Sequence, residues 1–323
     1  MEWVNCDFCG STESDILVEQ KDIIHRAAPT NEVFFLRKCR NCSLIYLNPR
    51  PVEEELFSYY PDNYDFYGCE KIFILKIKQC LTDLINSRIF NKPLGLAFYL
   101  CGLKDVFVRL VRPRITDYLK RIHPCRMLDV GCGSGLHIHF WGYNGSLHYL
   151  KRRGFEVIGL EPSLKAKSVA EKYGLKVVSS LQDVKGGGFD FVRMNWSMEH
   201  VDSPTKYFRE FKKILRSKGK LLISVPNYSG ILYRIFPACV EIPVHTYYFT
   251  PYTLENYLHK FEFKIIDKFT FSYPGMFAKA SEFLNCKPRL NMTPLGSVYF
   301  QSILNNFDSQ MLGNDMVYFC ENK

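Results

Sequence analysis

Residues 127–135 read Met-Leu-Asp-Val-Gly-Cys-Gly-Ser-Gly and constrain the fold of this chain more than any other stretch. An apolar run suited to a short strand ends at Val130, and glycines follow at 131, 133 and 135. The chain must turn sharply there and bring bare backbone against a ligand, which glycine allows because it has no Cβ. Backbone N–H groups in such a loop can face an anion or a polar ligand. A second short strand, Phe155 to Leu160, ends in the acid Glu161. In nucleotide-binding α/β folds an acid at that place hydrogen-bonds ribose hydroxyls.

Asp129 to Gly135 resembles the D-x-G-x-G-x-G loop of the class I S-adenosylmethionine (SAM) methyltransferases. The G-x-G-x-x-G spacing of NAD enzymes fails, because Leu136 stands three residues after Gly133. The resemblance implies SAM as cofactor, held by Asp129, Gly131, Cys132, Gly133, Gly135 and Glu161. It places Asp183 beside the adenine and Asn195 at the end of the fourth strand of the site. It also implies a Rossmann-like, doubly wound sheet of seven strands with the last one antiparallel.

The elements downstream of residue 123 alternate as that fold requires. Strands are expected at 126–130, 155–161, 175–179, 189–195, 221–225, 261–271 and 315–320. Ser203-Pro204 and Thr250-Pro251 are helix starts, each a capping hydroxyl followed by proline at the first position. The helix after Pro204 is expected to end by Gly219, and 272–312 to be helical. Glu161 lies 26 residues beyond Gly135, and 136–145, with Trp141 and Tyr143, read as an insertion at the mouth of the loop. The insertion either caps the cofactor site or obstructs it.

Near the N-terminus, Cys6-x-x-Cys9 and Cys39-x-x-Cys42 form two pairs with 29 residues between them. Each pair can present two thiolates from one tight turn, and two such turns close a tetrahedral site. Structural zinc is expected on Cys6, Cys9, Cys39 and Cys42, since four protein ligands leave no open position. Twelve cysteines in a chain without a basic, apolar leader point to metal or free thiols before disulfides, and to a cytoplasmic protein. The expected organisation is a zinc ribbon at 1–52, an aromatic strap and basic helices at 53–122, and the SAM domain at 123–323. A four-cysteine ribbon joined to such a domain resembles the sugar C-methyltransferases and their shorter relatives of surface-polysaccharide synthesis.

The net charge of +9 is concentrated. Between Glu70 and Arg126 there are twelve Lys or Arg against four Asp or Glu. Two amphipathic helices are expected there, either packed on the core with solvated basic faces or lying at an inner membrane surface to reach a lipid-linked substrate. No run approaches the ~18 apolar residues of a membrane span. Residues 57–67 carry six aromatics and read as a strap between domains or a wall of the substrate pocket.

The sugar C-methyltransferases carry an H-x-x-Y-F-[ST] stretch with the catalytic histidine. The stretch 245–250 matches it, and His245 takes that place. Their second active-site histidine falls at His200, preceded by Glu199. The glutamate that family has just before the first histidine is Val244 here, with Glu241 nearby. Histidine suits removal of the acceptor's proton, since its pKa of ~6.5 lies near neutral. His245 is expected as general base, His200 as second base or substrate ligand, and Glu199 as a residue that orients His200. Some quinone O-methyltransferases hold a metal with an acid before the same Glu-His pair. That place is Trp196 here, so no catalytic metal is expected.

The expected function is methyl transfer to a small molecule, a sugar-nucleotide or a lipid-linked saccharide. Two other classes stand beside it. An RNA methyltransferase would grip phosphates with the basic segment, but the N-P-P-Y type motif is replaced by Asn195-Trp196-Ser197-Met198, so nucleic acid is not expected as partner. A non-catalytic scaffold would have its cofactor pocket blocked by the insertion.

Overall fold

The alternating elements downstream of residue 123 assemble into one seven-stranded sheet of order β10-β11-β8-β7-β4-β5-β6. The structure is a computed structural model that describes residues 1–21, 32–60, 123–136, 145–272, 274–284 and 294–323. Strands β4 (Arg126–Val130), β5 (Glu156–Leu160) and β6 (Lys176–Val178) pair in parallel. Next in order past β4 come β7 (Phe189–Asn195) and β8 (Leu215–Pro226). The last strand, β11 (Asp315–Asn322), runs antiparallel to both β8 and β10 (Phe263–Phe271). The strand order reverses between β4 and β7, the place where doubly wound sheets open a ligand crevice. The expected α/β fold with an antiparallel last strand is therefore present.

The chain divides into two compact units. One holds the described residues of 65–191 and 293–295. Its strands bury Met127, Leu128, Ile158 and Leu160. Helix α1 (Leu147–Arg152) starts at Ser146, whose hydroxyl accepts from Tyr149 N–H, and α2 (Leu164–Lys172) starts at Ser163, capped likewise through Ala166 N–H. Arg126 anchors the start of β4: its N–H donates to Asp190, and its guanidinium lies 4.5 Å from the Phe189 ring centre.

The second unit holds the described residues of 1–64, 192–292 and 296–323. Helix α3 (Pro204–Ile214) begins at the Ser203 cap with proline in its first turn, as the sequence predicts. It ends at Ile214, before Gly219, and β8 begins at Leu215. The reason lies at the other end of the chain: Asn322 of β11 donates to the carbonyls of Leu215 and Arg216, which a helix would have used itself. Helix α4 (Pro251–Lys260) starts with a reciprocal Thr250–Thr253 cap. Phe208 of α3 is fully buried and stacks on Tyr257 and Phe261 at 5.3 and 5.8 Å. Burial of such a ring contributes about 1.5–3 kcal/mol. Helices α5 (Pro274–Phe283) and α6 (Pro294–Ser309) occupy the segment expected to be helical.

The N-terminal ribbon belongs to this second unit. Strands β1 (Ser14–Gln20), β2 (Phe34–Cys39) and β3 (Ile45–Leu47) form an antiparallel sheet, and a fourth strand, β9 (Tyr247–Tyr248), joins it on β3. Phe34, Leu36, Ile45 and Leu47 of the ribbon share one apolar cluster with Val240, Ile242, Val244 and Tyr248. The segment that carries His245 is thus threaded through the ribbon's own core. The basic helices expected within 70–122, the strap beyond Tyr60 and the insertion at 137–144 lie outside the described residues.

Candidate active site

The glycine loop follows β4 with Gly131, Gly133 and Gly135 all at positive φ, a region closed to most side chains. Four of its N–H groups are taken within the protein. Gly131 and Cys132 both donate to the Leu160 carbonyl, at 2.9 and 3.1 Å, and Gly135 donates to the Cys132 carbonyl. Gly133 donates to Glu161 Oε2 at 2.9 Å, while Glu161 Oε1 accepts from Ser163 N–H at 2.9 Å. These four face β5, Glu161 and the loop itself.

Burial raises the Glu161 pKa, against the pull of its two N–H donors, and the neighbouring Asp129 raises it further. Each Glu161 oxygen has one lone pair beyond its N–H bond. Ser134 is 1% exposed, and its hydroxyl has no partner among the described residues. Gly159 of β5 leaves room for the Cys132 thiol, which lies 2.5 Å from where a Cβ would stand. A carboxylate with free lone pairs beside an orphaned buried hydroxyl suits a ligand that carries hydroxyl groups, such as the nucleoside of SAM. Asp183 turns back on its own loop, where one oxygen accepts from the N–H and hydroxyl of Ser180. Asn195 accepts from the Ser224 hydroxyl through its side-chain oxygen.

In the other unit the residues after β7 meet the segment around β9. Trp196 adopts φ 46°, costly for a bulky residue, and is held by its N–H on Ser224 and its indole N–H on Asp315. The single turn Met198–His200 follows. Thr246 ties this turn to the late segment: its N–H and hydroxyl donate to the Glu199 carbonyl, and its hydroxyl also reaches the Val201 carbonyl. The rings of His200 and His245 consequently meet edge to face, with centres 4.5 Å apart.

The hydrogen-bond partners assign the protons. His200 Nδ1 lies 2.9 Å from the Val244 carbonyl, which can only accept, so Nδ1 donates to it. The Tyr60 hydroxyl is 2.8 Å from the same nitrogen. His245 Nε2 lies 3.5 Å from Glu241 Oε2 across one turn. Glu241 thus lies beside the His245 ring, while Val244 is buried in the apolar cluster. Glu199 is 1% exposed, with Oε1 4.0 Å from His200 Nε2 and Oε2 unpartnered among the described residues. Burial pushes its pKa well above the ordinary value, and Glu241 and Asp315 add to that shift. Glu199, His200 and His245 stand together, with Tyr60 beside His200 and Glu241 beside His245.

The four N-terminal thiols also converge. Cys6 and Cys42 Sγ are 3.4 Å apart, Cys9 and Cys39 Sγ 3.5 Å, and all four lie within 4.8 Å of one another. A tetrahedral zinc with Zn–S of about 2.3 Å needs sulfurs roughly 3.8 Å apart, so the set fits. Gly10 at φ 76° and Ser43 at φ 64° close the two turns.

Among known proteins, the chain is 31% identical over 112 residues to a ubiquinone biosynthesis O-methyltransferase of Xanthomonas oryzae, covering 32% of this chain and 43% of that protein. It is 27% identical over 180 residues to one of Coxiella burnetii, covering 52% of this chain and 68% of that protein. The chain thus spans less than half the length of the first of these relatives. Similar solved structures include a SAM-dependent methyltransferase of Archaeoglobus fulgidus, at 21% identity, 66% of this chain, 93% of that one and TM-score 0.43. Another is a possible histamine N-methyltransferase of Thermotoga maritima, at 17% identity, 70% of this chain, 98% of that one and TM-score 0.44. The family model described as a methyltransferase domain matches residues 103–268, just over half of the chain, and the chain belongs to that methyltransferase family.

Proposed function

We propose that this chain transfers a methyl group from SAM to a small-molecule acceptor of the sugar class, either a sugar-nucleotide or a lipid-linked saccharide. When bound, SAM supplies a sulfonium-activated methyl for in-line displacement. The chain's part is to align the two reactants and manage one proton. Glu161 accepts from the donor's ribose hydroxyls through its remaining lone pairs, beside the loop of Asp129 to Gly135. Asp183 offers its second oxygen to the adenine amino group. The observation that carries the reading is the His200–His245 pair with the buried Glu199 and the partly exposed Glu241 beside it.

His245 acts as general base. Glu241 fixes a proton on Nε2, which leaves Nδ1 to take the acceptor's proton, in the manner of a histidine oriented by a carboxylate. His200 presents the Nε2 lone pair to the acceptor as second base or ligand. The ribbon resembles that of sugar C-methyltransferases, and structural zinc on its four cysteines suits the thiol geometry. The basic segment 70–122 would meet the negative head groups of a lipid-linked substrate; co-flotation with anionic liposomes at low salt tests this part by itself.

A second reading, a phenolic hydroxyl as acceptor, is favoured by the names of the relatives. Titration calorimetry with SAM, followed by transfer of tritiated methyl to nucleotide sugars, a lipid-linked saccharide, a catechol acid and RNA, decides among them. Label in a sugar supports the first reading, and label in the catechol acid replaces it. RNA labelling would make this an RNA enzyme. Folded protein that fails to bind SAM would be a scaffold. His245→Ala should lower turnover about 10²–10⁴-fold with SAM affinity unchanged.

A further inference from the structure

The cysteine ribbon touches the histidine turn through two side chains that no reaction step has used. Asp7 sits between Cys6 and Cys9, and its carboxylate reaches the start of α3. One oxygen accepts from the Ser203 hydroxyl; the other accepts from Thr205 N–H at 2.9 Å and Tyr257 OH at 2.7 Å. The Thr205 hydroxyl donates in return to the Asp7 carbonyl at 3.0 Å. An acid belongs at a helix N-terminus, where N–H groups lack partners. Here that acid comes from a segment nearly two hundred residues away. Lys260, at the end of α4, closes the contact on the Phe8 carbonyl at 2.6 Å.

Arg50, beyond the second cysteine pair, makes the other tie. Its guanidinium donates to the Asp202 carbonyl at 2.7 Å and lies 3.2 Å from the Tyr247 hydroxyl, while Glu2 accepts its Nε–H at 2.8 Å. Asp202 and Ser203 directly follow the Glu199–His200 turn, and Tyr247 lies two residues beyond His245. Between the two ties, Leu47 of β3 donates to the Thr246 carbonyl at 2.9 Å. Both segments that carry the histidines are therefore fastened to the cysteine module.

We propose that Asp7 and Arg50 are positioning residues for His200 and His245, so that a metal held by the four cysteines sets the geometry of the methyl-transfer histidines. The inference rests on the reading that these histidines serve the transfer. The module is then an external brace of the active site. Losing its metal frees Asp7 with the Cys6–Cys9 turn, which releases the first turn of α3 and the His200 turn ahead of it.

The test uses the full chain, metal-loaded, as wild type, Asp7→Asn and Arg50→Ala, with metal content measured in each. Asparagine can keep one of the oxygens' partners but cannot accept through its amide nitrogen. The readouts are hydrogen exchange in residues 197–206 and the ¹⁵N signature of the His200 ring. Wild type should show His200 with the hydrogen on Nδ1. Both variants should keep their metal, exchange about tenfold faster in 197–206, and populate the Nε2–H form, with residues 126–135 unchanged. Chelation of wild type should reproduce the change. Unchanged exchange and ring signal in folded, metal-loaded variants would overturn the proposal. Should Asp7→Asn fail to fold, Arg50→Ala carries the same test without touching the knuckle. His200→Ala separates the two ideas: full methyl transfer by that variant refutes the role of His200, whereas its loss with an unmoved His200 signal in Asp7→Asn and Arg50→Ala refutes only the brace.

Discussion

Glu161→Gln should separate cofactor binding from folding. The carboxylate accepts one N–H on each oxygen, from Gly133 and Ser163, and offers its remaining lone pairs to the donor's ribose. Its raised pKa shows that burial outweighs both N–H donors, so the charged form is less favoured here than in water. A neutral isostere loses one acceptor but escapes that desolvation, and the change in unfolding free energy should stay within about 1 kcal/mol. Binding has no such offset. Glutamine replaces an acceptor by a donor, and loss of a charge-assisted hydrogen bond costs about 1.5–3 kcal/mol. SAM affinity should therefore fall roughly ten- to hundredfold.

The pH dependence follows the same logic. The raised folded pKa means that the folded protein holds this proton more tightly than the unfolded chain. The stability associated with the group is therefore fullest below the ordinary value of 4.5 and is lost as pH rises through the raised one. SAM binding needs the ionised form, so affinity should drop on acidification already above pH 4.5 in wild type and stay flat in the glutamine variant. Calorimetric titration with SAM across pH, alongside urea unfolding, measures both. A folded Glu161→Gln protein that binds SAM within twofold of wild type would refute the placement of the ribose.

Other substitutions probe other parts of the site. Gly135→Ala puts a Cβ at φ 69° against Leu175, and left-handed strain plus overpacking should cost about 2–4 kcal/mol, read as a lower urea midpoint with unchanged slope. Because the Glu199 pKa is raised, wild-type stability should decline as pH rises from 4.5 toward that raised value; Glu199→Gln should flatten the decline and melt higher than wild type at pH 8. Cys6→Ser should lose the ribbon metal and lower the melting temperature, since the apolar cluster beneath the ribbon also packs Val240, Ile242 and Val244; calorimetry with metal analysis checks it.

The composition of the chain and its local patterns determined a good deal. Gly131, Gly133 and Gly135 had to form the loop because few other residues tolerate its φ values, and all three have them. Ser203-Pro204 and Thr250-Pro251 had to start helices, since a capping hydroxyl and a proline without an N–H both satisfy a helix's first turn. Two C-x-x-C turns had to present paired thiols. Each of these is settled within a few residues, so spacing alone reveals it.

Tertiary structure decided which partner each group met. Nothing adjacent to Gly133 says that its N–H is taken by Glu161. Only the fold brings Tyr60 to His200 and seats Asp7 on the start of α3. Glu241 comes beside the His245 ring because the chain turns between them, while Val244 is drawn into the ribbon's core. Helix α3 stops short of Gly219 because Asn322, more than a hundred residues later, claims the carbonyls of Leu215 and Arg216. Local conformation follows from the steric and hydrogen-bonding needs of neighbours in the chain. Proton placement and positioning follow from groups far apart in sequence, which only packing of the whole chain brings within hydrogen-bond reach.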